Sequence, residues 1–318
     1  MKEKIKYRQF IDLFFTEKGM EIGNYIDFDS KQKIISYVPE AKKIWFSSMK
    51  LLSKIEDLTK TPFTLKKFDN LYALDGIVVA EELGINSKKR YSGLILFSIY
   101  YLCVHLLDDL IEDRQKFQSL FTYPKKILYS NKIEATGLSF IMNAILSISF
   151  ILKREGQKNI NKVINTFINS LVKQLKYFAL EKNKNMKPEE ILKIKQRKVS
   201  GEATSFIADA LMINKFFDNK RCLYIKRALY YLGSLTQFTD DLRDYKKDKN
   251  TGNANLLIFM ENFYKNKARD KFAEWYVLEE NLMMKEFYKS GIQIDERVIK
   301  AIPWHPFFYR MSHSLYEK

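Results

Sequence analysis

The chain has 318 residues, 46% hydrophobic and 14% aromatic, with 54 Lys and Arg against 38 Asp and Glu, a net charge of +16. That composition supports a sizeable core, and with only 11 Gly and 6 Pro it suits long helices rather than many short strands. Two Cys and three His at unrelated spacings argue against a disulfide framework or a zinc site, and Lys scattered along the chain argues against nucleic acid as partner.

Residues 1–20 and about 30–58 read as amphipathic helices separated by Gly23-Asn24-Tyr25, a cover for a core formed later in the chain. The opening stretch, MKEKIKYRQFIDLFFTEKG, lacks a continuous apolar region and a small-residue cleavage site, so no secretory signal is expected. Lys60-Thr61-Pro62 marks a break before a helix over about 66–83.

From Lys89 to about Asp113 a strongly apolar segment turns acidic only at its C-terminal end, as a helix at the centre of a bundle would. Asp108 and Glu112 are four apart, as are Asp109 and Asp113. Negative charge at a helix C-terminus opposes the macrodipole, so a bound cation would relieve a real cost. Val104, Tyr101 and Phe97 lie back along one face, either as an aromatic wall below the acidic rim or as ordinary core. Helices over about 134–153 and 158–182 read as packing, and Cys103 and Cys222 as buried thiols. The apolar runs from Leu94 and Leu138 are interrupted and fall short of the ~20 residues that span a bilayer, so a cytoplasmic protein without transmembrane segments is expected.

Pro188-Glu189-Glu190 opens a helix that is expected to continue through Arg197 to Ser205, with a kink at Ser200-Gly201. Such a break would turn carbonyls into a cavity, while Arg197, with Lys198 beside it, could clamp a phosphate; a tolerated Gly/Ser pair in a packed helix is the plainer alternative. The next helix, from Arg221 to about Gly252, carries Asp240, Asp241, Asp244 and Asp248, with Gly233 and Gln237 upstream. Steps of four keep Asp240, Asp244 and Asp248 on one face, where like charges repel, and divalent cations would supply a reason for them. Two acidic clusters around one cavity could hold Mg2+ ions that keep waters and take phosphate oxygens. Two amphipathic segments follow, about 255–267 and 269–290, and then a tail. There Trp304, Phe307 and Phe308 read as packing, and Tyr309 and Arg310 could reach a phosphate at the cavity mouth. No linker or repeat divides the chain, so one domain over 1–318 is expected, with 1–60 as its N-terminal helical cover.

On these residues the chain resembles class I isoprenoid synthases, and most the terpene cyclases among them. Asp108, Asp109 and Glu112 match the first acidic motif of those enzymes. Asp240, Asp244 and Asp248, with Gly252 and Asn255-Leu256 after them, fit the frame of the second, with Asp at 244 where Ser or Thr is usual. Arg197, Ser200 and Gly201 reproduce the spacing of the diphosphate-sensing Arg, linker and Gly, and Tyr309-Arg310 reverses the C-terminal Arg-Tyr pair.

The resemblance implies an all-α, single-domain helical bundle around a central active-site cavity. It further implies three Mg2+ ions on the two motifs, Arg197, Lys198, Arg243 and Arg310 on the diphosphate, and a lyase that ionises a prenyl diphosphate to a terpene. Squalene- and phytoene-synthase-like coupling is the alternative, because Asp109, Glu112 and Asp113 also satisfy that motif and Arg243-Asp244-Tyr245-x-x-Asp248 resembles its second one. Chain elongation is disfavoured by the absence of an upstream Gly-Lys-Arg. Peripheral membrane contact and a homodimer are left open. Outside this superfamily stand a Mg2+-dependent nucleotide pyrophosphohydrolase and a non-enzymatic helical binding protein.

Overall fold

The protein was analysed as a computed structural model that describes residues 2–15, 26–53, 71–112, 136–181, 186–197, 202–211, 213–305 and 307. Every regular element among them is helical, as the composition leads one to expect. The helix expected over 30–58 is two, α2 (Phe28–Ser36) and α3 (Val38–Ser53), because Pro39 has no backbone N–H to continue a helix from Tyr37 and belongs in a first turn. No described helix is long and apolar enough to cross a membrane.

The chain divides into two units interleaved along the sequence: Met1–Ser36, Tyr177–Thr204 and Phe217–Lys318 form one, and Tyr37–Lys176 with Ser205–Phe216 the other. In the second unit α3 packs with α4 (Leu71–Glu82), α5 (Ser87–Glu112) and α6 (Thr136–Arg154). Its core is aromatic. Tyr100 shares a 2.7 Å hydrogen bond with Ser170 of α7 (Ile160–Glu181) and packs its ring 6.1 Å from Phe167 and 5.1 Å from Phe206 of α9 (Glu202–Ala210). Arg90, 2% exposed, is balanced by Glu40 at 2.7 Å and by Glu81. Gly93 is required by close approach, since a Cβ there would lie 1.9 Å from the Ala210 carbonyl oxygen. The short α10 (Ile213–Phe216) completes this unit.

In the first unit the long α11 (Asn219–Thr251) packs along α13 (Ala268–Ser290), with the Phe238 ring 5.0 Å from Phe272 and 5.9 Å from Tyr276. Asp218 caps the N-terminus of α11 by accepting from the Arg221 N–H, and Gly252 ends it in the left-handed region at φ 71°. The sequence pattern placed the end at Asn250-Thr251-Gly252, and there the helix stops. α1 (Lys2–Phe14) lies on α13: Tyr7 is buried, its hydroxyl donates to Glu280, and its ring sits 4.5 Å from Tyr276 and stacks on Trp304. α8 (Pro188–Gln196), α12 (Leu256–Tyr264) and α14 (Glu296–Ala301) close the unit. Phe307 packs on Trp304 at 5.7 Å, the aromatic tail the sequence suggests. Cys103 and Cys222 are both buried, and burial pushes the Cys103 thiol well up.

Candidate functional site

The four aspartates of α11 fall into two sets with different partners. Asp240 and Asp244 are one helical turn apart, and Arg243 spans them: its guanidinium lies 2.9 Å from Asp240 and 3.1 Å from Asp244. All three side chains are partly open, 37% exposed for Asp240, 41% for Asp244 and 29% for Arg243. Desolvation nevertheless raises the Asp240 carboxyl above its ordinary value; Arg243 opposes that shift and Asp244 adds to it.

Asp241 and Asp248 are buried. One oxygen of Asp241 accepts from the Lys195 ammonium of α8 at 2.7 Å, and the other from the Leu256 N–H at the start of α12 at 2.9 Å, where the helix end favours negative charge. Asn255 joins the set. Its amide donates to the Asp241 carbonyl at 2.6 Å and to the Asp248 carboxylate at 2.9 Å, while its oxygen caps α12 by accepting from Leu257 and Ile258. Lys195 also donates to the Ala254 carbonyl at 3.3 Å. Burial pushes the Asp241 carboxyl up to about 6, with Lys195 and the Leu256 N–H pulling the other way. Burial alone would lower the Lys195 ammonium, but Asp241, Glu181 and Asp248 outweigh it and raise it.

The expected file of Asp240, Asp244 and Asp248 is therefore divided: Asp248 turns to Asn255 rather than sharing partners with the other two. The repulsion that suggested bound cations is also met from within, by Arg243 on one set and Lys195 on the other. Gln237 reaches Asp241 at a long 3.5 Å, and Gly233 is half-buried within α11. Arg197, the residue after α8, is exposed and makes no ion pair among the described residues; its neighbour Gln196 donates to Glu279 of α13 at 2.8 Å.

Phe97 is buried in α5, with its ring 4.8 Å from that of Tyr101, and Tyr101 and Val104 are half-buried. Asp108, Asp109 and Glu112 lie in the last turns of α5, with side chains outside those described; Asp113, Lys198, Ser200, Gly201, Tyr309 and Arg310 lie outside the described residues. His305 is buried with Nδ1 2.8 Å from the Ile302 carbonyl oxygen, and its charge acts on Asp240.

The sequence pattern names Asn255 only as part of the second motif's frame and leaves Lys195 out, though the role of each left a signal. Lys195 follows Ile191 by one turn on the buried side of α8, and Asn255 immediately precedes the apolar run Leu256-Leu257-Ile258, as an N-cap does.

Among the described residues no three Asp, Glu, His or Cys side chains converge as a metal site. Asp240 and Asp244 nonetheless form an open pair of hard oxygen donors, and Mg2+ asks of a protein only one or two carboxylates when waters and phosphate oxygens complete its shell. No protein-family model matches the chain, and no curated protein matches it.

Proposed function

We propose that the protein is a Mg2+-dependent enzyme of the class I isoprenoid synthase kind, acting in the cytoplasm as a terpene-forming lyase on a prenyl diphosphate. The observation that carries the reading is the Asp240–Arg243–Asp244 array, two open carboxylates and a guanidinium within a turn of the long α11. Magnesium bound there would supply the charge that stabilises a departing diphosphate. Asp240 and Asp244 would hold that charge in place. Arg243, released from them, is a bidentate donor for phosphate oxygens, and the exposed Arg197, without an ion pair among the described residues, is a second. The resemblance assigns Asp108, Asp109 and Glu112 the same metal-holding task.

Coupling of two prenyl diphosphates is the second reading. It is favoured by Arg243 pairing with the adjacent Asp244 and by the buried Tyr245 that follows, whose hydroxyl donates to Glu261 at 2.6 Å, since the Arg-Asp-Tyr order is that of the coupling motif.

Incubating the purified protein with Mg2+ and geranyl, farnesyl or geranylgeranyl diphosphate, and assaying diphosphate and hydrocarbon products, tests both. A terpene of the substrate's own chain length supports the lyase, and a doubled chain supports coupling. No Mg2+-dependent release of diphosphate from any substrate overturns the proposal. Asp240→Asn and Asp244→Asn are each expected to lower kcat by ~10²-fold or more, the scale of losing a group that stabilises transition-state charge.

A further inference from the structure

Asp241 and Asp248 sit in the acidic run that the resemblance gives to metal ions, yet their surroundings already hold a cation. The Lys195 ammonium is 2.7 Å from the Asp241 carboxylate and 3.3 Å from the Ala254 carbonyl, and the charges of Glu181 and Asp248 act on it as well. Lys195, Asp241 and Asn255 are 3%, 3% and 0% exposed, so this is a closed, oxygen-lined compartment rather than a solvated surface pair. Carboxylate and carbonyl oxygens are the donors that hard divalent cations take. The Asp241 and Asp248 carboxylates are engaged a second time: Asn255 spans the Asp241 carbonyl and the Asp248 carboxylate, and the Leu256 N–H donates to the second Asp241 oxygen.

We infer that Lys195 is a built-in counter-cation standing in a divalent-ion position between α8, α11 and the start of α12. Asp241 and Asp248 are then not metal ligands in this protein, and Asp240 and Asp244 are the carboxylates of α11 left for an added ion. Removing the ammonium should convert the compartment into a divalent-cation site, because among the described residues it leaves the buried Asp241 carboxylate without its close cation. The physical demand is the same whether a lysine or a metal meets it. The lysine has one advantage: the segment 248–256 and α8 are locked together at any metal concentration.

The test counts Mn2+ bound to the full chain by electron paramagnetic resonance and follows thermal melting in EDTA and in Mn2+, for the natural protein, Lys195→Ala, and the double variant Lys195→Met with Asp241→Asn. Lys195→Ala is expected to bind one more Mn2+ per chain than the natural protein. Its melting temperature should fall in EDTA and recover with Mn2+ by more than that of the natural protein. A folded Lys195→Ala chain that binds no additional Mn2+ overturns the inference. The double variant removes both charges and keeps the bulk of the side chains, so it remains informative if Lys195→Ala does not fold. Its Mn2+ count should equal that of the natural protein, and loss of an ion would show Asp241 to be a ligand and overturn the inference. Neither measurement involves a prenyl diphosphate, so the inference and the proposed reaction can fail separately.

Discussion

Two buried charges in one unit meet opposite fates, and the contrast is measurable. Lys195 has Asp241 as a close counter-charge. Glu279, 6% exposed, has no close cation among the described residues, and Gln196 donates to one of its oxygens at 2.8 Å. Burial raises the Glu279 carboxyl above its ordinary value of 4.5, while Ser234 and Gln196 oppose the shift. The folded chain therefore holds that proton more tightly than the unfolded chain. Below the ordinary value both states are protonated and nothing is lost; as pH rises past it, the unfolded state ionises first and stability falls. Glu279→Gln should accordingly raise the melting temperature at pH 8, with the gain vanishing near pH 4; an unchanged difference across that range would contradict a raised Glu279. Lys195→Met alone leaves Asp241 buried without its cation and should cost about 3–5 kcal/mol in urea unfolding, most of it recovered when Asp241→Asn is added.

At the scale of elements, the joints between helices carry unusual demands on single residues. α5 runs so close to α9 that Gly93→Ala would place a methyl 1.9 Å from the Ala210 carbonyl oxygen, and a backbone atom has little freedom to yield. Overpacking of this kind should lower stability by about 1–3 kcal/mol or more, read as a shifted urea midpoint at constant slope. Asn255 serves three tasks at the turn from α11 to α12: cap, donor to the Asp241 carbonyl and donor to Asp248. Asn255→Ala loses a cap and strands two buried acceptors, an expected cost of about 2–4 kcal/mol in the same measurement. Gly252 ends α11 at φ 71°, and Gly252→Ala should cost about 1 kcal/mol, because only glycine reaches that conformation without strain.

Over the whole molecule, the chain passes between its two units four times, so neither is a contiguous piece of sequence. No composition shift or linker marks such a division: two crossings fall at helix joints, after Ser36 and after Phe216, and two fall within α7 and α9. The net charge of +16 belongs to this scale too. Lysines spread over the surface produce a general field that draws anions, and salt screens it over a Debye length of about 8–10 Å. If the substrate is a diphosphate, kcat/KM should fall as KCl is raised while kcat stays nearly constant; a salt-independent kcat/KM would remove steering from the account.

Local features of this protein were legible from the sequence alone. The 3.6-residue spacing of apolar positions and the scarcity of Gly and Pro determine the helical class, and Gly252 marks the end of the longest described helix. The two acidic runs, the buried cysteines and the aromatic tail were equally plain, each being a matter of residues near one another in the chain. What each aspartate does was decided only by the tertiary structure. Steps of four drift about 40° around a helix while a step of seven returns to within about 20°, so Asp248 lies nearer the direction of Asp241 than that of Asp240. The partners that settle the matter come from afar, Lys195 from 46 residues away and Asn255 from 14. A charge repeated along a helix tells that compensation is needed; whether a metal ion, an arginine one turn away or a lysine from another helix supplies it depends on which side chain packing carries into reach.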